Sequence, residues 1–370
     1  MRATRAEIRL DNLRHNIRLI RERVGTEVQI SMAVKADAYG HGAVHVVKTA
    51  YEEGVHSFGV ATVEEGVELR NVGTSVPIML LGFPVPEEIP EAVAAYLTPY
   101  VGSLELVKLF EQEAKKQKKT INVHIKVDTG MGRIGCTPSS VPDLAEYITG
   151  SKFLTFEGLA THFPLSDIAD PAFTIQQTDE MNNVIKKLKK KNLCPPVISA
   201  ANSGAIINIP ETYFTMVRPG IMAYGYYPST GQPRELSLKP VMELKSKITF
   251  LKKISKGTSI SYGHTWTAGK DTWIATLPVG YGDGYSRLLS NCGFINIGGK
   301  RFPVRGRVCM DQTLVEIGPH CTVKPYDDVV LFGDCESGPN AEEVAGLMNT
   351  IPYEVTCLIT RRVPRIYKDS

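Results

Sequence analysis

Eight times in its first two thirds the chain passes from a short apolar run into a longer amphipathic one, and this alternation restricts the possible fold more than any other feature. The strand-like runs are 29–35, 57–61, 77–82, 97–101, 121–127, 156–163, 197–202 and 214–224, with helix-like segments such as 104–117 and 171–190 between them. A strand followed by a helix, repeated, builds a parallel sheet, because each helix carries the chain back across one face before the next strand begins. Eight such units in about 200 residues match an α/β fold of the (β/α)8 TIM-barrel type. A doubly wound sheet with fewer strands is the alternative.

Beyond a turn-rich linker at 228–233 the pattern changes to strand-like runs without helices, at 242–254, 272–278, 294–297, 313–317 and 328–332, with one helix expected over 341–348. We therefore expect two domains in the 370 residues, a barrel over 1–234 and a smaller, mostly β domain over 235–370. The run 3–10 reads as a strand that fits either unit. A net charge of +3 is too small to suggest a nucleic-acid partner, and the lysine runs 115–119 and 186–191 each close a helix, where cations complement the dipole. Seven scattered cysteines without a C-x-x-C pair argue against a disulfide framework or zinc site. No apolar stretch of about 18 residues is present, so the chain reads as a soluble cytoplasmic protein without membrane contact.

Candidate chemistry gathers where a barrel places it, at the C-terminal ends of the strands. Lys35 ends the first apolar run, just before Gly40 and Gly42 turn the chain into a helix beginning near Ala43. A desolvated lysine loses part of its preference for the charged form and becomes a nucleophile. An ion pair with Asp37 is the plainer alternative. No other lysine is expected at a strand end facing this site. His162 ends the sixth run, Asn202-Ser203-Gly204 the seventh, and Arg218 lies in the eighth. The helix start after Asn202 offers N–H groups and a hydroxyl suited to a phosphate, whereas the plainer reading makes Ser203 a helix cap. His41 and His45 are spaced i, i+4 but lack a third ligand, so no metal site is expected.

The segment Ala33-Val34-Lys35-Ala36-Asp37-Ala38-Tyr39-Gly40-His41-Gly42 resembles the cofactor-lysine signature of the bacterial alanine racemases. The likeness continues through Lys126-Val127-Asp128-Thr129-Gly130-Met131-Gly132-Arg133, Arg218-Pro219-Gly220-Ile221, Ser261-Tyr262-Gly263, Gly280-Tyr281-Gly282-Asp283-Gly284-Tyr285 and Gly306-Arg307-Val308-Cys309-Met310-Asp311. It implies a pyridoxal 5′-phosphate (PLP) enzyme that interconverts L- and D-alanine by a two-base mechanism, for D-alanine supply or for alanine catabolism. Lys35 would hold PLP and act as one base. Tyr262, contributed across a homodimer interface, would be the other, with His162 supporting its phenol. Tyr39, Ser203, the backbone of Gly220 and Ile221, and Tyr353 would bind the phosphate. Arg218 would face the pyridine nitrogen. Arg133 and the Met310 backbone would hold the substrate carboxylate, and a carbamylated Lys126 would orient Arg133. Asn202, Tyr281 and Asp311 would support the site.

Two other PLP readings are built on the same barrel, and the first also shares the β domain. Barrel-type decarboxylases of basic amino acids resemble one another in an acidic partner for the pyridine nitrogen, whereas this chain offers Arg218. A single-barrel PLP-carrier protein would lack the second domain that carries Tyr262, Met310 and Tyr353. A serine or broader racemase is the nearest competitor, and Tyr353 is expected to crowd side chains larger than methyl.

Overall fold

A computed structural model describes residues 2–229, 231–334, 336 and 338–369. Thr230 of the linker and Cys335 lie outside these residues. A strand β1 (Arg5–Arg9) comes first, followed by the eight barrel strands β2 (Gln29–Ala33), β3 (Ser57–Val60), β4 (Ile78–Leu80), β5 (Thr98–Val101), β6 (Ile121–Lys126), β7 (Leu154–Ala160), β8 (Val197–Ser199) and β9 (Met216–Val217). These eight strands close into a barrel in sequence order, and every pair is parallel.

Helices cover the outside of the barrel for reasons visible in their spacing. In the helix Leu10–Val24, Leu10, Leu13, Ile17, Ile20 and Val24 are buried at three- and four-residue intervals, while Arg14 and Arg18 turn outward and pair with Glu52 and Glu53. Asn16 on the same helix is fully buried, donating to the carbonyls of Ala223 and Lys239 at 3.1 and 2.8 Å and accepting from the Lys239 N–H. One side chain thereby stitches the outer helix to the end of the barrel and the start of the linker.

The remaining strands are β10 (Met242–Lys247), β11 (Phe250–Ile254), β12 (Ser259–Ile260), β13 (Trp266–Thr267), β14 (Thr272–Leu277), β15 (Phe294–Ile297), β16 (Lys300–Pro303), β17 (Thr313–Gly318), β18 (Asp328–Phe332) and β19 (Arg365–Lys368). They form a six-stranded sheet in the order β16-β15-β18-β10-β1-β19, a three-stranded sheet β11-β14-β17 and the hairpin β12-β13. β1 pairs antiparallel with β10 and parallel with β19, so the N-terminal strand lies in a sheet of the C-terminal region. The single run expected over 242–254 divides at Ile248. The Ile248 N–H turns to the Asp327 carbonyl and the Thr249 N–H to the Thr276 carbonyl, sending β10 and β11 into different sheets.

Candidate active site

The C-terminal mouth of the barrel opens into a cavity of about 520 Å3 lined by Lys35, Tyr39, Lys126, Arg133, His162, Asn202, Ser203, Arg218, Gly220 and Tyr353, together with Tyr100 and Cys357. The fold thus brings ten residues singled out in the sequence into one space. Each barrel strand ends within a few residues of the group it presents. β2 stops at Ala33, two residues earlier than expected, and Lys35 opens a turn in which Ala36, Asp37, Ala38 and Tyr39 all have φ near +50°. The alternative reading of Lys35, an ion pair with Asp37, is not found among the described residues. The Asp37 carboxylate instead accepts the Ala43 N–H at 2.7 Å, fixing the start of the next helix.

Desolvation pulls the Lys35 amine below its ordinary pKa, and the Arg133 guanidinium adds to the effect, while Glu65 and Cys357 oppose it. Lys126, at the end of β6, is a second amine in the same cavity and corrects the expectation that Lys35 stands alone there. It is 3% exposed, and burial together with Arg218 lowers its pKa to about 7. The loop after it is tightly folded. Asp128 accepts from the N–H groups of Gly130 and Gly132 at 3.0 Å, and Cys136 N–H returns to the Lys126 carbonyl at 2.9 Å. This closure carries Arg133 back over the cavity.

Arg218 follows β9 directly. Its Nη1 donates to Ser199 Oγ at 2.5 Å, and its Nη2 to the carbonyls of Thr161 and Ala200 at 2.5 and 3.1 Å and to His162 Nδ1 at 3.4 Å. A guanidinium only donates, so Nδ1 must accept and the imidazole proton resides on Nε2. Burial, Arg218 and Lys126 hold the His162 pKa far down, so the ring is neutral. The Arg218 Nε–H has no protein acceptor among the described residues.

Below these groups lies a cradle for an oxyanion. Ser203 Oγ accepts from the N–H groups of Gly220 and Met222 at 2.9 and 3.4 Å, while Asn202 caps the helix Ser203–Asn208 by accepting the Ala205 N–H. The cap is therefore Asn202, and the Ser203 hydroxyl is directed at the loop after β9. A Cβ on Gly220 would sit 2.7 Å from the Tyr39 hydroxyl, so glycine is what lets that phenol reach the backbone. The rings of Tyr39 and Tyr353 lie 5.6 Å apart, and burial raises both phenols, which stay protonated as donors. Two phenols and a serine hydroxyl, held where the loops after the seventh and eighth barrel strands meet, suit a phosphate monoester. In the cavity wall the hydroxyls of Ser31 and Tyr100 are buried without a partner among the described residues, leaving polar atoms for a bound polar group. The Ile221 side chain is buried in the core, so only its backbone faces the cradle.

Tyr262, Tyr281, Met310 and Asp311 do not line this cavity. They face outward on linked loops of the β region. Tyr262 is 71% exposed, Met310 53% and Tyr281 42%. Ser261 Oγ donates to the Arg307 carbonyl at 2.6 Å, Tyr281 N–H to the Cys309 carbonyl at 3.0 Å, and Arg362 bridges Asp311 and the buried Asp283. Glu65, Tyr100 and Cys357 were missed in the sequence. The Thr62-x-x-Glu65 spacing signals only a helix start, and no local pattern tells which side chains of distant strands share a barrel interior.

A desolvated lysine at the mouth of a parallel barrel, with arginines and a polar cradle around it, marks a barrel enzyme with a site for an anionic group. Family models described as "Alanine racemase, N-terminal domain" and "Alanine racemase, C-terminal domain" match residues 8–228 and 241–367. An alanine racemase of Treponema denticola is 46% identical, with 100% of this chain and 99% of the relative covered. The structure of an alanine racemase from Clostridium difficile 630 superposes with a TM-score of 0.94 at 38% identity, covering 100% of this chain and 96% of that one. Its complex with cycloserine matches at a TM-score of 0.93, with 38% identity and coverage of 99% and 96%. The chain belongs to the alanine racemase family, whose members are isomerases.

Proposed function

We propose that this chain interconverts L- and D-alanine with PLP held by Lys35, using Lys35 and Tyr262 of the partner subunit as two opposed bases in a homodimer. The observation that carries this reading is the company of Lys35: a desolvated amine in one cavity with the cradle of Tyr39, Ser203 and Gly220 and with two arginines. When bound, PLP supplies an electron sink that makes the Cα proton removable. Racemisation needs that proton taken from one face and returned on the other. The amine of Lys35, its pKa lowered by its surroundings, would exchange a proton on its face. Tyr262, exposed and outside the lining of its own chain's cavity, would act in a neighbour's. The neutral His162, with its proton on Nε2, donates toward the incoming phenol oxygen and lowers the cost of its charged form.

Arg218, whose Nε–H has no protein acceptor among the described residues, would face the pyridine nitrogen. Being permanently protonated, it gives a hydrogen bond without giving up a proton, which limits charge delocalisation into the ring and the side reactions that follow. Tyr39, Ser203, Tyr353 and the backbone of Gly220 and Ile221 would hold the phosphate, with Asn202 fixing the helix beneath. Arg133 and the N–H of Met310 of the partner subunit would hold the substrate carboxylate, with Tyr281 of the partner subunit and Asp311 of the partner subunit shaping that side. An amine with a pKa of about 7 is substantially neutral at physiological pH and adds CO2 readily, so Lys126 becomes a carbamate that steadies Arg133. We take the two units to meet near residue 234, between the ranges that the two family models match, and the protein to work in the cytoplasm.

Borohydride reduction followed by peptide mapping tests the assignment, because Lys126 is a competing amine. PLP should be fixed on the peptide of Lys35. Lys35→Ala should lose both the adduct and the appearance of D-alanine in chiral chromatography. An adduct on Lys126, or racemisation surviving in Lys35→Ala, would refute the reading.

A further inference from the structure

The backbone that follows Lys35 is left-handed for four consecutive non-glycine residues, with φ of 52° at Ala36, 53° at Asp37, 52° at Ala38 and 53° at Tyr39. L-residues visit this region singly, because Cβ crowds the next carbonyl oxygen. A run of them persists only where neighbours hold it. Part of the hold is internal, with Ala38 N–H donating to the Val34 carbonyl at 2.8 Å and Gly40 N–H to the Ala36 carbonyl at 2.9 Å. The Ala36 N–H, the first donor after Lys35, leaves the turn and donates to Glu65 Oε1 at 2.6 Å. Glu65 Oε2 accepts from Ala61 N–H at 2.7 Å and Thr62 N–H at 3.4 Å.

Glu65 is the third residue of the helix Val63–Asn71, and Thr62 Oγ1 accepts its N–H in return, a reciprocal helix cap. A cap of this kind needs only the contact between Glu65 and Thr62. The oxygen directed at Ala36 serves a different loop. We propose that Glu65 is a positioning residue for Lys35, its carboxylate bridging the loops after β2 and β3 and holding the left-handed turn that aims the lysine into the cavity. Val34, on the other side of Lys35, donates its N–H to the Gly59 carbonyl of β3 at 2.8 Å, so both flanks of the lysine are fixed to the same neighbouring unit. Glu65 is also the carboxylate that opposes Arg133 in setting the charge of Lys35. Its consequence for PLP rests on the role of Lys35 given above.

Glu65→Gln keeps the side-chain size but replaces one accepting oxygen with an amide NH2, which cannot accept. Glu65→Asp keeps the charge and shortens the reach. Thr62→Ala weakens the helix cap without touching Ala36. Apoenzyme of each variant is followed by amide exchange of the peptide 34–42 and by titration with PLP, read by absorbance and by borohydride trapping. For Glu65→Gln, exchange of that peptide should quicken about tenfold and PLP affinity should fall about 10- to 100-fold, the range expected for losing a charge-assisted hydrogen bond. Circular dichroism should stay at the wild-type shape. Glu65→Asp should change both readouts in the same direction, and it carries the test if Glu65→Gln does not fold. Thr62→Ala should change neither. Wild-type exchange and PLP affinity in the Glu65 variants, or equal changes in Thr62→Ala, would reduce Glu65 to a helix cap and overturn the proposal. Quickened exchange alongside PLP trapped away from Lys35 in the wild type would instead remove the role of Lys35 and leave the turn's dependence on Glu65 standing.

Discussion

Lys126 is among the most buried charged residues in the protein, and its surroundings make a simple ammonium there costly. Its folded pKa is about 7 against an ordinary value of 10.5. The unfolded chain therefore binds the extra proton more readily between those values, and the amine's cost to stability is full below about pH 7 and fades as pH rises towards 10.5. Lys126→Met, which keeps the length and removes the charge, should stabilise the protein in CO2-free buffer at pH 6 by on the order of a few kcal/mol, with a much smaller gain at pH 9. Urea unfolding at the two pH values measures this, and equal gains at both would contradict the assignment of cause. Tyr353 bears on specificity at the same scale. Its ring packs beside Tyr39 at the cavity wall, so Tyr353→Asn should raise turnover of serine relative to alanine by about tenfold, as expected when one extra heavy atom is no longer crowded. Measured rates with the two amino acids decide the point, and an unchanged ratio would locate the size limit elsewhere.

The elements around the site are coupled through the left-handed turn. Gly40 ends it with φ of 82°, and a Cβ at that position would lie 2.3 Å from the Thr356 carbonyl oxygen in the helix Pro352–Cys357. That helix carries Tyr353, so the lysine turn and the helix bearing this phenol pack against each other through a residue with no side chain. Gly40→Ala should cost about 2–4 kcal/mol from the left-handed backbone and the forced separation together. It should also weaken PLP binding, because Lys35 and Tyr353 move apart. Thermal unfolding and PLP titration of the variant would show both losses, and a variant as stable as the wild type would mean that the turn is not packed as described.

For the molecule as a whole, the loops bearing Tyr262, Tyr281 and Met310 expose apolar and aromatic surface away from the cavity of their own chain. Exposed groups of this kind mark an interaction surface, and in the proposed homodimer a second copy of the chain would supply the cavity they lack. Lys35→Ala and Tyr262→Ala homodimers should each be inactive. In a mixed dimer one site carries both defects and the other carries none, so purified heterodimers should regain activity at one site of two. Heterodimers as inactive as their parents, with PLP bound and assembly confirmed, would rule out the shared site.

Much of this was legible along the chain. The βα alternation located all eight barrel strands, because a parallel strand buried on both faces reads as a continuous apolar run, although the eighth, expected over 214–224, is only Met216–Val217, and Ile221–Tyr224 turns into a short 3-10 helix. The strand ends located Lys35, His162, Asn202, Ser203 and Arg218, since a barrel gives those positions one mouth. Tertiary structure alone decided the rest. That Lys126 shares the cavity depends on the closure of eight strands. That Asn202, not Ser203, caps its helix depends on the loop after β9 presenting two N–H groups to the serine. That Glu65 serves the turn after Lys35 depends on two loops meeting 29 residues apart in sequence. Periodicity reports which face of an element is buried. Which buried groups meet is set by packing between elements distant in the chain, and there the hydrogen bonds and charges that tune the site are made.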